Sequence, residues 1–399
     1  MRDYFPFFKR RPEITYLDSA ATSQTLYSVA EDQRDFMLDH KSNAHRSGNS
    51  MGTYVDQQYQ LSKELIGKWL NINKPEKRVV FNSGTTQGLN DAAQMIVSAM
   101  EGGGVVFLGI DSHHSLILPW TQCGNTKWRV VYVELDKDGR LDLNDLSAKI
   151  KAEPMGVSKV IAVTAVSNVL GLINDLDGIK KIALECAAVS IIDASQIISK
   201  RQLNLSGFDF VVWSWHKVYG PMGLGCLLID PVWLNFDPVR PGGGTVTSVS
   251  IDSVTWTDNA TKFESGTQNL SAICALPKLV NWLIEHQNDI EQHDISLAKV
   301  INDQISLAQF TPTSKTDSGL LCLEPVVGNV EDYTMMLDAK NIMIRSGKLC
   351  AEPLITQISN NALLRLSWGC YTTRQEIELA LDGLGEIHAR LSRHVQRAV

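Results

Sequence analysis

The sequence predicts an α/β protein, with a mostly parallel sheet flanked by helices in a large first domain and a smaller α+β domain behind it. Three observations carry this expectation. Between about Val79 and Leu228, short β-rich runs alternate with helical patterns, as in a βαβ series. The β-rich runs are dense in Val, Ile and Leu instead of alternating with polar residues, as expected where helices cover both faces. The 399 residues suffice for two domains sharing a substantial core.

Taken in order, the strand candidates are 105–110, 160–165, 189–192, 208–213 and 225–229. The clearest helix follows Thr86, where Leu89, Ala92, Ala93, Ile96, Val97 and Met100 recur at helical spacing on one face. A second long helix is expected over 271–286, with Ile273, Leu276, Val280, Leu283 and Ile284 on one side. Pro277 lies inside it and implies a kink or a later start. A break near 270 divides the chain into a large domain, 16–270, and a small domain, 271–399. Residues 1–15 are expected to pack with the small domain or on a partner subunit.

Composition excludes several classes of function. The net charge of -7 argues against binding a phosphate backbone, so no nucleic-acid partner is expected. No apolar run reaches the roughly 18 residues of a membrane span, so no membrane partner is expected. The opening residues include Arg2, Lys9, Arg10 and Arg11 but no apolar stretch before a cleavage site, so no signal peptide is expected. The seven cysteines are odd in number and form no C-x-x-C pair, which disfavours both a disulfide framework and a structural zinc site. A reducing, cytoplasmic setting is the natural expectation.

In open α/β sheets, ligands bind at the carboxyl ends of the strands. Here those ends lead into Asp111-Ser112-His113-His114, Ser167-Asn168, Asp193 with Gln196, and Ser214 with His216 and Lys217. That set suits pyridoxal 5′-phosphate. The cofactor needs a lysine to bond its aldehyde carbon, a carboxylate to keep its ring nitrogen protonated, a flat group over the ring and a cup for its phosphate. Lys217, Asp193 and His113 fit the first three roles. The run Ser83-Gly84-Thr85-Thr86-Gln87, at the start of the amphipathic helix, fits the fourth. Ser214 and His216 supply further donors.

Each element also has a plainer reading. Gly-Thr-Thr before a helix is an ordinary N-cap, and an aspartate at a strand end is an ordinary turn residue. The pair His113-His114 lacks a third ligand at metal-like spacing. Gly242-Gly243-Gly244 does not join a strand to a helix, as a dinucleotide loop must, and reads as a flexible loop.

With these residues in view, the sequence resembles the cysteine desulfurases and selenocysteine lyases of the class V aminotransferase group, in their SUF-type branch. The likeness runs along nearly the whole chain. Its opening segment is Tyr16-Leu17-Asp18-Ser19-Ala20-Ala21-Thr22, followed by the substrate-side loop Asn43-Ala44-His45-Arg46. Gly84-Thr85-Thr86 is similar to the phosphate motif. Ser167-Asn168-Val169-Leu170-Gly171 is similar to a segment whose Asn meets the cofactor ring oxygen. Asp193-Ala194-Ser195-Gln196 and Ser214-Trp215-His216-Lys217 resemble the cofactor core. Phe263-Glu264-Ser265-Gly266-Thr267 resembles a segment whose Thr reaches the neighbouring subunit's phosphate. Arg345-Ser346-Gly347-Lys348-Leu349-Cys350-Ala351 lies where the family carries its nucleophilic cysteine, and Arg365-Leu366-Ser367 where an arginine holds the substrate carboxylate.

The resemblance implies a pyridoxal-phosphate-dependent transferase of fold type I, acting as a homodimer. It implies conversion of L-cysteine, or selenocysteine, to alanine, with sulfur held on Cys350 as a persulfide and passed to an acceptor protein of the SufE kind. Lys217, His113 and Cys350 are the implied catalytic residues. The implied cofactor contacts are Thr85, Thr86, His113, Asn168, Asp193, Gln196, Ser214, His216, Lys217 and Thr267. The implied substrate contacts are Arg365, Arg345, Asn168, His45 and Arg46. Three positions depart from the family pattern. Trp215 replaces a small glycine and would crowd the cofactor loop. Leu349 replaces a histidine. Leu366 replaces an alanine and would narrow the substrate pocket. Two other functions fit the same residues: a lyase or aminotransferase for another small amino acid, with Cys350 a bystander, and a non-catalytic regulator of sulfur transfer.

Overall fold

A computed structural model describes residues 1–44, 48–121, 127–359 and 361–398. Its centre is a seven-stranded sheet. In space the strands run Val79–Asn82, Gly225–Ile229, Phe210–Ser214, Val189–Asp193, Ser158–Thr164, Gly104–Gly109 and Trp128–Val133. Gly225–Ile229 is antiparallel to both its neighbours, and every other pair is parallel.

The density of β-branched residues has its explanation in burial. All five residues of Phe210–Ser214 are buried, and successive side chains enter different cores. Val211 and Trp213 join one apolar cluster, while Phe210 and Val212 join the other. The sheet is therefore covered on both faces. The edge strand Trp128–Val133, which the strand candidates omit, has only its two end residues buried. It lacks the unbroken buried run that marks the central strands.

Helix Thr85–Ala99 packs on this sheet. Leu89, Ala92, Ala93, Met95 and Ile96 are buried, whereas Val97 and Met100 are partly covered. Two glycines permit its placement. Gly84 precedes it at φ 148°, a backbone conformation glycine adopts freely. A Cβ on Gly88 would come within 2.6 Å of Val212, so the helix could not lie this close to the strand with a larger residue there.

The helix expected over 271–286 is two helices. Leu270–Cys274 ends at Ala275, and Leu276–Gln304 begins there, with Pro277 in its first turn, where the missing N–H costs nothing. Beyond it lies a four-stranded antiparallel sheet in the order Phe310–Pro312, Leu320–Pro325, Leu363–Ser367, Arg345–Gly347. The N-terminal residues lie against this region. Thr15–Tyr16 pairs in parallel with Ile342–Met343, and Arg2 bonds Glu376 and the Tyr371 carbonyl. No helix among the described residues is long and apolar enough to cross a membrane.

Candidate active site

The parallel strands end at one cavity of about 310 Å³. Its lining includes Thr85, Thr86, His113, Asn168, Asp193, Gln196, Ser214, His216, Lys217, Arg345, Cys350 and Arg365. The shared C-terminal edge of the strands gathers Thr85 through Lys217, and Arg345, Cys350 and Arg365 join them from the four-stranded sheet and the connection that follows Arg345–Gly347. Thr267 is exposed and does not line this cavity. It belongs to a separate cleft with Asn82, Gln87 and Arg240. His45 and Arg46 lie outside the described residues.

Lys217 sits in a single helical turn, Trp215–Lys217, directly after strand Phe210–Ser214. The turn is held from above by the N-terminal segment: Ser23 donates its N–H to the His216 carbonyl at 2.8 Å and its hydroxyl at 2.9 Å. Burial pushes the Lys217 amine below its usual value, against the opposing attraction of Asp193. Asp193 ends its strand buried, and Oδ1 accepts the Ser195 N–H at 2.9 Å.

His113 and His216 are both pushed down to about 4, first by burial and then by the Lys217 charge. Both rings are therefore neutral near pH 7. The Ser115 N–H donates to His113 Nδ1 at 3.1 Å, which assigns the ring proton to Nε2.

Hydroxyls gather at the start of helix Thr85–Ala99. Thr85 Oγ1 lies 2.8 Å from both Ser195 Oγ and Ser214 Oγ, and the Thr85 N–H donates to Ser214 Oγ at 2.7 Å. Thr86 Oγ1 lies 2.8 Å from Ser115 Oγ. Ser195 and Ser115 were absent from the sequence assignment. Ser195 was legible as the third residue of the Asp193-Ala194-Ser195-Gln196 run, but nothing in sequence links it to Thr85.

Cys350 occupies the four-residue connection between strand Arg345–Gly347 and helix Glu352–Ile358. It is the exposed cysteine among the described residues, and all of those are free thiols. Leu349 and Cys350 both adopt left-handed backbone conformations, at φ 53° and 54°, which cost energy for residues bearing a Cβ. Bonds from two other elements hold the turn. Asn168 Nδ2 donates to the Leu349 carbonyl at 2.8 Å, and the His114 N–H donates to the Cys350 carbonyl at 2.9 Å. His114 Nε2 also pairs with Glu352 at 2.5 Å.

Arg365 is buried, which pushes its guanidinium below its usual value. Nη1 donates to the Asn168 carbonyl at 3.3 Å, whereas Nε has no partner. Asn168 Oδ1 is likewise buried and unpartnered.

Two of the departures have their answer here. Trp215 is fully buried and points away from the cavity, packing on Trp69 and Trp213 with ring centroids 6.0 and 5.7 Å away. It does not crowd the cofactor loop. Leu366 enters the apolar core of the C-terminal region, because alternate residues of its strand face opposite sides, so it does not narrow the pocket. Leu349 does line the cavity.

The class V aminotransferase family model matches residues 15–380 of this chain. A probable cysteine desulfurase of Halalkalibacterium halodurans is 31% identical over 382 residues, 93% of this chain and 92% of its own length. One of Pyrococcus abyssi is 28% identical, covering 94% of each. Among solved structures, a cysteine desulfurase of Thermococcus onnurineus superposes with a TM-score of 0.89 at 27% identity, over 98% of this chain and 97% of that one. The cysteine desulfurase CsdA of Escherichia coli gives 0.88 at 26%, over 98% of each.

Proposed function

The chain belongs to the class V aminotransferase family and, within it, to the cysteine desulfurases, and from that premise we propose that it removes sulfur from L-cysteine through Cys350, leaving L-alanine. The observation that carries the reading is the sharing of one cavity by Lys217 and the exposed Cys350.

Members of the family depend on pyridoxal 5′-phosphate, and the residues here fit that cofactor. Hydroxyls of Thr85, Thr86, Ser195 and Ser214 cluster at a helix N-terminus, which favours a phosphate. Asp193 is a buried carboxylate for the ring nitrogen, neutral His113 a flat partner for the ring, and Asn168 a buried amide with an unused oxygen. Gln196 and His216 complete the wall. When bound, the cofactor supplies an electron sink for the charge left at the substrate's Cα.

The protein's own groups do the rest. A desolvated Lys217 gives up its proton more readily than a lysine in water, so its Nζ can take the substrate's α-proton. The unpartnered Nε of Arg365 is a donor for the substrate carboxylate. Cys350 attacks the substrate sulfur as a thiolate. The new S–S bond forms as the substrate's C–S bond breaks. The electron pair goes to Cβ, which takes a proton to become the methyl group, and Lys217 Nζ returns a proton to Cα, so that the product is alanine.

The short connection bearing Cys350 bonds to Asn168 and His114 and has little reach. The sulfur must therefore be collected at the protein surface by an acceptor protein. Thr267, exposed and outside its own cavity, supports a homodimer in which it serves the neighbouring subunit's site.

The test is incubation of the cofactor-loaded protein with L-cysteine, measuring alanine, sulfide and the position of the persulfide by mass spectrometry. Cys350→Ser should keep the bound cofactor's absorbance. It should lose the persulfide and reduce acceptor-stimulated sulfur release by roughly a hundredfold or more. Sulfide release from Cys350→Ser at the parent rate, with acceptor present, would show that Cys350 is not the nucleophile and would favour the lyase or aminotransferase reading in which it is a bystander.

A further inference from the structure

The carboxylate of Asp18 stands between the two arginines of the cavity. Arg345 grips it side-on, with Nε 3.1 Å from Oδ1 and 3.2 Å from Oδ2, and Nη2 2.9 Å from Oδ2. Arg365 Nη2 lies farther away, 3.5 Å from Oδ1. The position of Asp18 is fixed by its backbone. Asp18 bridges to Ser367 on the strand that carries Arg365; the Ser367 N–H donates to the Leu17 carbonyl at 2.8 Å and the Ser19 N–H to the Ser367 carbonyl at 3.2 Å.

The two arginines are therefore unequal. Arg345 is half exposed, and its charge is answered within the chain. Arg365 is 4% exposed, with a buried Nε that has no partner. Two guanidiniums and one carboxylate leave a single positive charge, which matches one substrate carboxylate.

The geometry points to Asp18 as the residue that sets the charge selectivity of this subsite. By committing Arg345, it leaves room for amino acids with one carboxylate and repels those with a second, such as L-aspartate. In its absence, Arg345 is a long, half-exposed cation free to meet a second anionic group, and two positive charges face the ligand. The inference rests on Arg365 being the partner of the substrate carboxylate.

The test uses the cofactor-loaded protein and two probes, L-alanine and L-aspartate, each titrated by the change in cofactor absorbance. Neither probe carries sulfur, so the outcome is independent of the desulfurase reaction. In Asp18→Asn the ratio of the two dissociation constants should move toward aspartate by on the order of tenfold or more. Asp18→Glu, which keeps the charge, should hold the parent preference. An unchanged ratio in Asp18→Asn overturns the inference, even if both probes weaken together, since that pattern marks a merely structural residue. Arg365→Lys in the parent background should weaken both probes. If it weakens neither, the carboxylate reading of Arg365 itself is at fault.

Discussion

His113 and His216 show how burial sets protonation residue by residue. Each is held near 4, below the ordinary value of about 6.5. Between those values the unfolded chain binds protons that the folded chain refuses. Their contribution to stability is present above about pH 6.5 and is lost as pH falls through 4. Asp111 acts in the opposite sense. Burial pushes it up to about 6, against a bond from Asn174, so it favours the folded state as pH falls below that. Cofactor-free His113→Asn should therefore lose less melting temperature between pH 7 and pH 5 than the parent. Equal losses in the two proteins would show that His113 is not held neutral by the fold. The type of these residues was legible in the sequence, because each follows a strand end. Their protonation was not, because it depends on how much water the assembled cavity admits.

Among the elements, the loop carrying Lys217 is supported from below by aromatic packing. Trp69, Trp213 and Trp215 form a continuous cluster. Trp215→Ala should lower stability by roughly 3–5 kcal/mol, as expected for removing a large buried ring. Denaturant midpoints measure this, with cofactor absorbance as the control. A variant of unchanged stability that binds cofactor more tightly would return Trp215 to the crowding role that sequence suggested. A single sequence says that Trp215 departs from a small residue but not which way the indole points. The segment Phe263 to Thr267 is anchored just as firmly. The Glu264 carboxylate, 1% exposed, meets Lys63 at 3.0 Å and accepts bonds from Tyr59 and from the Phe81 N–H. This cluster fixes the residues that lead to Thr267.

At the scale of the whole molecule, the prediction concerns assembly. If Thr267 completes the neighbouring subunit's site, Lys217→Ala and Thr267→Ala proteins should each be impaired alone. Mixed and allowed to exchange subunits, they should form dimers in which one site has both native residues. Desulfurase activity should then rise above the sum of the separate variants. A fully active monomer, seen by light scattering under assay conditions, would sink the proposal. Gly242-Gly243-Gly244 lies in the loop expected there, and it leads into an exposed hairpin of Val246–Val249 and Val254–Trp256, with Val249, Ile251 and Val254 uncovered.

The sequence by itself determined the sheet-and-helix plan and the chemical types at its active edge. Strand composition, helical periodicity and the order of the motifs are local properties, and local properties survive in a one-dimensional reading. Boundaries came out within about two residues for the central strands, whereas both edge strands are missing from the candidates: Val79–Asn82, buried but only four residues long, and Trp128–Val133, whose burial depends on neighbours. Only the tertiary structure decided which polar groups pair and which stay unpartnered. It alone joined Thr85 to Ser195, turned Trp215 and Leu366 away from the cavity, and set Asp18 between Arg345 and Arg365. Those outcomes depend on distances between residues far apart in the chain, which no local pattern encodes.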